Sequence, residues 1–285
     1  LNVLGTCGSE EGEFSNPFGL TVDKWGNLYV ADSDNYRIQK FDSKGNFIIK
    51  WGSEGDKEGQ FKIPGGVAAD PEGNVYVADT ENHRIQKFDG QGNFITTWGS
   101  EGNDVGHFNN PFGITVDPEG NVYVADTLNY RIQKFDSNGN FITTWGTEGS
   151  EAGQFQCPEG IALDSEGNIY VADTENHRIQ KFDKKGNFIT KWGLNGTGDG
   201  MFNNPFGIAV NFSGDIYLAD TENQRIQIFT PLIETKKEEI IPEVISPVLE
   251  EERVTEKEEL PSVPSAELPV TLMPHETFIF IKKWG

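Results

Sequence analysis

Residues 99–145 read GSEGNDVGHFNNPFGITVDPEGNVYVADTLNYRIQKFDSNGNFITTW. Four strand-like runs lie in this stretch: Ile114–Asp117 (a), Val122–Asp126 (b), Arg131–Asp136 (c) and Phe141–Trp145 (d). Their β-branched and aromatic content suits a pleated sheet. Asp117-Pro-Glu-Gly-Asn121 joins a to b, and Asp136-Ser-Asn-Gly-Asn140 joins c to d. Both are D-x-x-G-N, a type I turn whose Gly supplies the left-handed residue of a tight hairpin. The stretch therefore predicts one four-stranded antiparallel sheet.

Outward from it, the same pattern recurs at intervals of 47. Phe14, Phe61, Phe108, Phe155 and Phe202 keep that spacing, and so do Asp32, Asp79, Asp126, Asp173 and Asp220. Five copies share one length without an insertion. A four-stranded sheet repeated every forty-odd residues is a β-propeller blade, whose two faces pack on its neighbours. The fold class is all-β, a propeller of five or six blades over residues 1–230. Trp51, Trp98, Trp145, Trp192 and Trp284 each close a d-type run and are expected to pack between blades, with Cys7 in that place in the first run.

Ring closure is ambiguous, because five a-b-c sets accompany six d-like runs. Val3–Gly8 has no a-b-c before it and is expected to act as a clasp that completes a blade built elsewhere. Residues 231–277 hold 7 of the 14 Pro, 12 Glu, no Asp and no Gly, and read as a disordered or extended acidic linker. The d pattern then resumes at residues 278–285. That run either completes the fifth blade or opens a second array, and the absence of a D-x-x-G-N turn before it favours the second.

Composition narrows the partners. A net charge of −22, from 23 Lys+Arg against 45 Asp+Glu, repels phosphate backbones and anionic lipid. No run of about eighteen apolar residues is present to span a bilayer. No signal peptide or initiator Met is seen, so the chain reads as a mature piece or a fragment. Cys7 and Cys157 read as free thiols.

The signature V-A-D-[ST]-x-N-x-R-I-Q-K-F stands as VADSDNYRIQKF from Val30, VADTENHRIQKF from Val77, VADTLNYRIQKF from Val124 and VADTENHRIQKF from Val171, with LADTENQRIQIF from Leu218 slightly altered. It resembles the NHL repeat over about residues 1–230. The resemblance implies a propeller, usually of six blades, like those of bacterial and archaeal surface proteins. More distant kin are TRIM-type proteins and peptide-amidating lyases. The RNA-binding surface of TRIM-type relatives depends on basic residues, whereas residues 1–230 carry 17 basic and 33 acidic side chains. Nucleic acid is not an expected partner.

Candidate chemistry divides into what repeats and what varies. Asp32 with Arg37, Asp79 with Arg84, Asp126 with Arg131, Asp173 with Arg178 and Asp220 with Arg225 recur in every copy. Catalysis needs no five copies, so these read as a structural motif in which Asp and Asn cap the b–c turn and Arg pairs with a carboxylate. Two positions vary: Phe18, Gly65, Phe112, Glu159 and Phe206 after the loop Pro, and Tyr36, His83, Tyr130, His177 and Gln224 before the Arg. Both sets are expected to ring one mouth of the channel, in solvent-facing loops, as an aromatic platform with one carboxylate. Ordinary loop packing is the competing account.

The amidating lyases hold zinc with His, but only His83, His107, His177 and His275 exist here, and His275 lies in the linker. A three-ligand site is not expected. Asp32-Ser-Asp-Asn35 resembles the start of a calcium loop but lacks its later Gly and Glu. No G-x-S-x-G elbow, P-loop or dinucleotide fingerprint occurs, and Gly193–Gly200 is a blade-to-blade loop. The expectation is a non-enzymatic scaffold without cofactor or metal, binding a protein, peptide or glycan at the channel mouth, on a cell surface or secreted. The alternative is a metal-assisted lyase or hydrolase at that mouth.

Overall fold

A computed structural model describes residues 3–231 and the backbone of 278–284. Blade 1 comprises β1 (Pro17–Val22), β2 (Leu28–Asp32), β3 (Arg37–Phe41) and β4 (Phe47–Trp51). Blade 2 comprises β5 (Pro64–Ala69), β6 (Val75–Asp79), β7 (Arg84–Phe88) and β8 (Phe94–Trp98), and blade 3 β9 (Pro111–Val116), β10 (Val122–Asp126), β11 (Arg131–Phe135) and β12 (Phe141–Trp145). Blade 4 holds β13 (Pro158–Leu163), β14 (Ile169–Asp173), β15 (Arg178–Phe182) and β16 (Phe188–Trp192). Blade 5 holds β17 (Pro205–Val210), β18 (Ile216–Asp220), β19 (Arg225–Pro231) and β20 (Phe278–Trp284). Each sheet is antiparallel in sequence order, and the five make a five-bladed β-propeller.

The turns behave as their residues dictate. In the a–b turn of blade 3 the Asp117 carboxylate accepts from the Asn121 N–H at 2.7 Å and its Nδ2 at 2.8 Å, while Gly120 takes φ +85°. Such local closure fixes the hairpin register, and Tyr123 seals it by donating its hydroxyl to Asp117 at 3.1 Å. Strand a departs from the expected span. It begins at the Pro, three residues early, because a bulge after Pro111 lets the chain pair with Asp126 before register resumes at Ile114. Phe18, Phe112 and Phe206 accordingly lie in strands rather than loops.

Around the axis the inner strands meet backbone to backbone. A Cβ on Gly113 would stand 2.0 Å from the Glu159 carbonyl of blade 4, so only glycine fits there. Farther out, four apolar clusters fill the interfaces from blade 1 to blade 5. Each seats the Tyr-Ala-Ile face of one blade on a face of the next built from two Phe and β-branched or Leu side chains, Tyr123, Ala125 and Ile132 on Phe155, Ile161, Ile169, Val171 and Phe182 for instance. The d-strand Trp bridges the same interface. Trp145 lies 6.4 Å from Tyr123 in its own blade and 6.0 Å from Phe182 in the next, ring centre to ring centre.

Two expectations about closure are corrected. Phe278–Trp284 pairs with β19 from Pro231↔Phe278 to Ile226↔Trp284, so it completes the fifth blade instead of opening a second array. Val3–Gly8 belongs to no sheet, which removes it as the clasp. Its Cys7 forms only a loop bridge with Phe14, the counterpart of Glu54 with Phe61. That register puts Leu4, not Cys7, in the Trp position, and Leu4 covers Gly45 as Trp51 covers Gly92. The linker reading falls on residues 232–277, outside the described residues.

Replacing Trp145 with Ala removes an inter-blade brace from rigid sheets that cannot collapse around the gap. The expected loss is about 3 kcal/mol in denaturant melts, the lower end for a large aromatic because this ring is half-buried; a loss below about 0.5 kcal/mol, the surface range, would refute the packing role.

Candidate functional site

The repeated Asp is the hub of each blade. Asp126 Oδ2 accepts from Arg131 Nε at 2.7 Å and Gln133 Nε2 at 3.0 Å, Asn129 Nδ2 donates to both oxygens at 3.0 Å, and Oδ1 accepts the Asn109 N–H at 2.7 Å. The remaining Arg131 donors go to the carbonyls of Asn103, Asp104 and His107 at 2.7–2.9 Å. Strand b, strand c and the preceding d–a loop are thereby tied to one carboxylate. The b–c connection itself is a 3-10 turn, Thr127–Asn129, closed by left-handed Tyr130 at φ 55°, and Asp126 makes no side-chain capping bond to it. Burial pushes the carboxyls of Asp79, Asp126 and Asp173 up, against the opposing pull of the loop N–H, Asn and Arg donors. The same pairs recur at Asp32–Arg37 and Asp220–Arg225, at 2.7 and 2.6 Å.

Among the variable positions, the structure gathers one set at the axis. Phe18 and Phe112 meet edge to face at 5.3 Å, Phe112 and Phe206 at 4.9 Å, and Phe18 stacks on Phe206 at 6.0 Å. Blade 2 makes room, since a Cβ at Gly65 would press on the Phe112 ring at 2.9 Å. These rings and Glu159 line a largely apolar cavity of about 310 Å³ whose outer wall is Leu20 of blade 1 and Tyr217, Ala219 and Ile226 of blade 5. Glu159 is its one carboxyl. Burial pushes that carboxyl up to about 7, with the neighbouring Thr174 hydroxyl opposing and the charge of Glu175 adding.

The second set stands apart. Tyr36, His83, Tyr130 and His177 do not line the cavity; each follows a 3-10 turn in left-handed conformation. His83 Nδ1 accepts the Asn110 N–H and His177 Nδ1 the Asn204 N–H, both at 3.1 Å, so these imidazoles brace the next blade. Tyr130 packs against the cluster between blades 3 and 4. Cys157, next to that interface, has its thiol pushed up to about 12 by burial and Glu175. Among the described residues no three His, Cys, Asp or Glu side chains are grouped as metal ligands. Nor is any described helix long and apolar enough to cross a membrane. Sequence reasoning missed Leu20, Tyr217, Ala219 and Ile226 as lining residues, because Val67, Ile114 and Ile161, and the Tyr, Ala and Ile of blades 1 to 4, are core at the same positions.

The NHL-repeat profile matches residues 14–41, 61–88, 108–135, 155–182 and 202–229, each span running from the loop Phe to the end of strand c. The protein is an NHL-repeat propeller. Among relatives, protein lin-41 of Caenorhabditis elegans is 48% identical over 48 residues, 17% of this chain and 4% of that protein. Protein brain tumor of Drosophila melanogaster is 41% identical over 49 residues, 17% of this chain and 5% of that protein. The matched part thus spans about a twentieth of these relatives. Solved structures share the fold. A virginiamycin B lyase from Staphylococcus aureus with quinupristin superposes at TM-score 0.58 and 17% identity over 78% of this chain and 70% of that one. A nidogen/laminin complex gives 0.56 and 18% over 74% of each.

Two outcomes follow for this NHL propeller. Asp126→Ala leaves Arg131 without its carboxylate in a nearly dry site, and the expected cost in denaturant melts is about 3–5 kcal/mol; a change near zero would remove the hub role. For Glu159, a folded-state value near 7 lies above the ordinary 4.5, so its contribution favours folding below about pH 4.5 and is lost as pH rises through 7. Glu159→Gln should therefore melt above the parent at pH 8 and level with it at pH 4. A constant difference across that range would show that Glu159 is not desolvated.

Proposed function

We propose that this NHL propeller is a non-enzymatic scaffold that receives a protein or peptide side chain at the axial cavity. The juxtaposition of three Phe rings with one half-buried carboxyl is the observation that supports it. Rings offer their faces to a cation or an apolar stem, and a carboxylate in low dielectric strengthens a charge partner. A basic side chain on an apolar stem, Lys or Arg, combines both requirements. A glycan fits less well, because its hydroxyls call for more polar groups than this lining supplies. The acidic surface weighs against nucleic acid. An extracellular or cell-surface setting accompanies this reading through the family resemblance.

The likeness to lyases is one of fold, and fold does not fix activity. Acid–base turnover needs a second positioned group within reach of the same substrate atom. Glu159 shares its cavity with no other carboxyl and no His, which favours binding over chemistry.

A Phe18, Phe112 and Phe206→Ala triple variant tests the reading. Its melting temperature should fall by no more than about 5 °C, since the rings are partly exposed and contact mainly one another. On a peptide array it should lose the Lys- or Arg-containing sequences that the parent retains. Unchanged capture would move the binding face elsewhere, and a collapse in melting temperature would make the rings core.

A further inference from the structure

The a–b and c–d turns of neighbouring blades meet at the end of the strands away from the Phe rings, and the repeat shows what is ordinary there. Between blades 3 and 4 that junction sets Glu119, Tyr123 and Lys134 against Glu166, Gly167 and Lys184 around a cavity of about 290 Å³. The junction of blades 1 and 2 encloses about 340 Å³ and shares no lining residue with the axial cavity. Two of its positions depart from the repeat. Trp25 stands where Glu72, Glu119 and Glu166 stand in the next three a–b turns, and Gly90 stands where Ser43, Ser137 and Lys184 stand in the c–d turns of blades 1, 3 and 4.

The two exchanges are coupled in space. A Cβ on Gly73, in the a–b turn of blade 2, would stand 2.6 Å from the Trp25 ring, so the indole reaches across the junction and rests on that turn. At Gly120 and Gly167 the nearest side chains are instead Ser137 and Lys184, from the same blade's c–d turn. Gly90 has no such side chain; a Cβ there would lie 3.6 Å from the Tyr29 hydroxyl and 3.7 Å from Lys40 Nζ, and its absence leaves the space beside those two atoms unfilled. Trp25 is 58% exposed, so much of the indole is bare. The rest of the lining is polar with hydrogen-bonding capacity to spare. Lys40 gives one of its three N–H donors to the Gly90 carbonyl at 2.8 Å, and Tyr29 donates to Asp23 at 3.2 Å but can still accept. Asn74 donates Nδ2 to Asp70 at 2.8 Å, while among the described residues its Oδ1 and the side chains of Glu72 and Gln91 make no hydrogen bond.

We infer that the outer junction of blades 1 and 2 binds a neutral hexose, as the terminal residue of a glycan. A pyranose carries an apolar C–H face and a rim of hydroxyls, each of them donor and acceptor at once. The C–H face suits the electron-rich face of an indole. The hydroxyls suit a wall that mixes donors, Lys40 and Gln91, with acceptors, Glu72 and the Asn74 Oδ1. The volume lies at the lower end of the range for ligand pockets, about 300–1,000 Å³, which is room for one ring and not for a chain. A phosphate, or a sulfated or sialylated sugar, is repelled by Glu72 and Asp89. A Lys or Arg side chain is repelled by Lys40 and by Lys24, whose ammonium already lies 4.6 Å from the Trp25 ring centre. The polar groups that the axial cavity lacks for a sugar are present here, so the two sites call for different ligands.

Saturation-transfer NMR on the full chain with the methyl glycosides of glucose, galactose and mannose tests the assignment, and at least one of them should show transfer. Trp25→Glu and Gly90→Ser install residues that other copies of the repeat already carry, so both should melt within about 3 °C of the parent. Each should weaken binding of that glycoside by about ten-fold or more. Gln91→Ala, an exposed truncation, should weaken it about three-fold, the effect of one hydrogen bond, and decides the matter if either of the others fails to fold. The Phe18, Phe112 and Phe206→Ala triple variant should bind the glycoside as the parent does, and Trp25→Glu should keep the parent's Lys- and Arg-containing peptides, so the axial reading and this one stand or fall separately. Absence of transfer from all three glycosides to the parent would overturn the inference, as would binding that the junction variants leave unchanged. So would two reassignments: glycoside binding lost in the Phe triple variant, which moves the sugar to the axis, or inorganic phosphate or a Lys peptide whose binding Trp25→Glu abolishes, which gives the junction to an ion.

Discussion

Every blade depends on one buried carboxylate. A fully desolvated Asp is tolerable only when its lone pairs are filled by well-placed donors. Here the loop N–H, Asn, Arg and Gln that fill them come from different strands and from the preceding d–a connection. Satisfying the charge therefore fixes the b–c hairpin and the path of the loop that leads into strand a. That loop in turn delivers the Pro and the following residue to the axis, which is how an Asp at the blade rim sets where Phe18, Phe112, Glu159 and Phe206 stand. The cavity is a consequence of rim chemistry repeated five times, with the identity of one axial residue left free in each copy.

What was legible in the sequence is what is local. D-x-x-G-N turns and strands b, c and d follow from nearest-neighbour geometry, and the 47-residue period carries them around the ring. The start of strand a was not legible, because the bulge after Pro111 and its equivalents arises from pairing with an Asp seen only in three dimensions. For the same reason the Phe residues read as loop positions although they are strand residues whose rings converge. The role of His83 and His177 was hidden likewise: only the packed ring shows their Nδ1 atoms accepting backbone donors from the next blade. Completion of the fifth blade was legible only as one of two alternatives, since pairing β20 with β19 spans residues 232–277 and no local rule reports a partner at that separation.

The repeat also separates the effect of position from that of residue type. The same Tyr, Ile and Gly that are buried in four interfaces are open between blades 5 and 1, so their exposure follows position and not residue type. The fifth blade has nonetheless been altered at linked places. Its a–b turn exchanges the usual Asp and Asn, placing Asn211 first and Asp215 last, and Asp215 accepts the hydroxyl of Thr230 on strand c. Ile228 replaces the Lys that, as Lys40, Lys87, Lys134 or Lys181, lies 4.7–5.2 Å over the blade's Tyr ring.

These exchanges bear on the space between blades 5 and 1. In blades 1 and 2 the Lys also donates across the interface, Lys40 to the Gly90 carbonyl at 2.8 Å and Lys87 to the Ser137 carbonyl at 2.9 Å, which pins the outer turns of adjacent blades. With Ile228 that polar pin is gone, and Tyr217 has lost both the ammonium over its ring and the turn carboxylate that accepts the hydroxyl elsewhere. The outer part of the space between blades 5 and 1 thus presents Tyr217 and Ile226 as apolar contact surface without a cross-interface Lys hydrogen bond. Apolar contact of that kind is less directional than a hydrogen bond. Near the axis the Thr221 hydroxyl reaches only its own Ala219 carbonyl and Gly207 meets no other blade, while the strand of Gly207 carries Phe206 into the cavity.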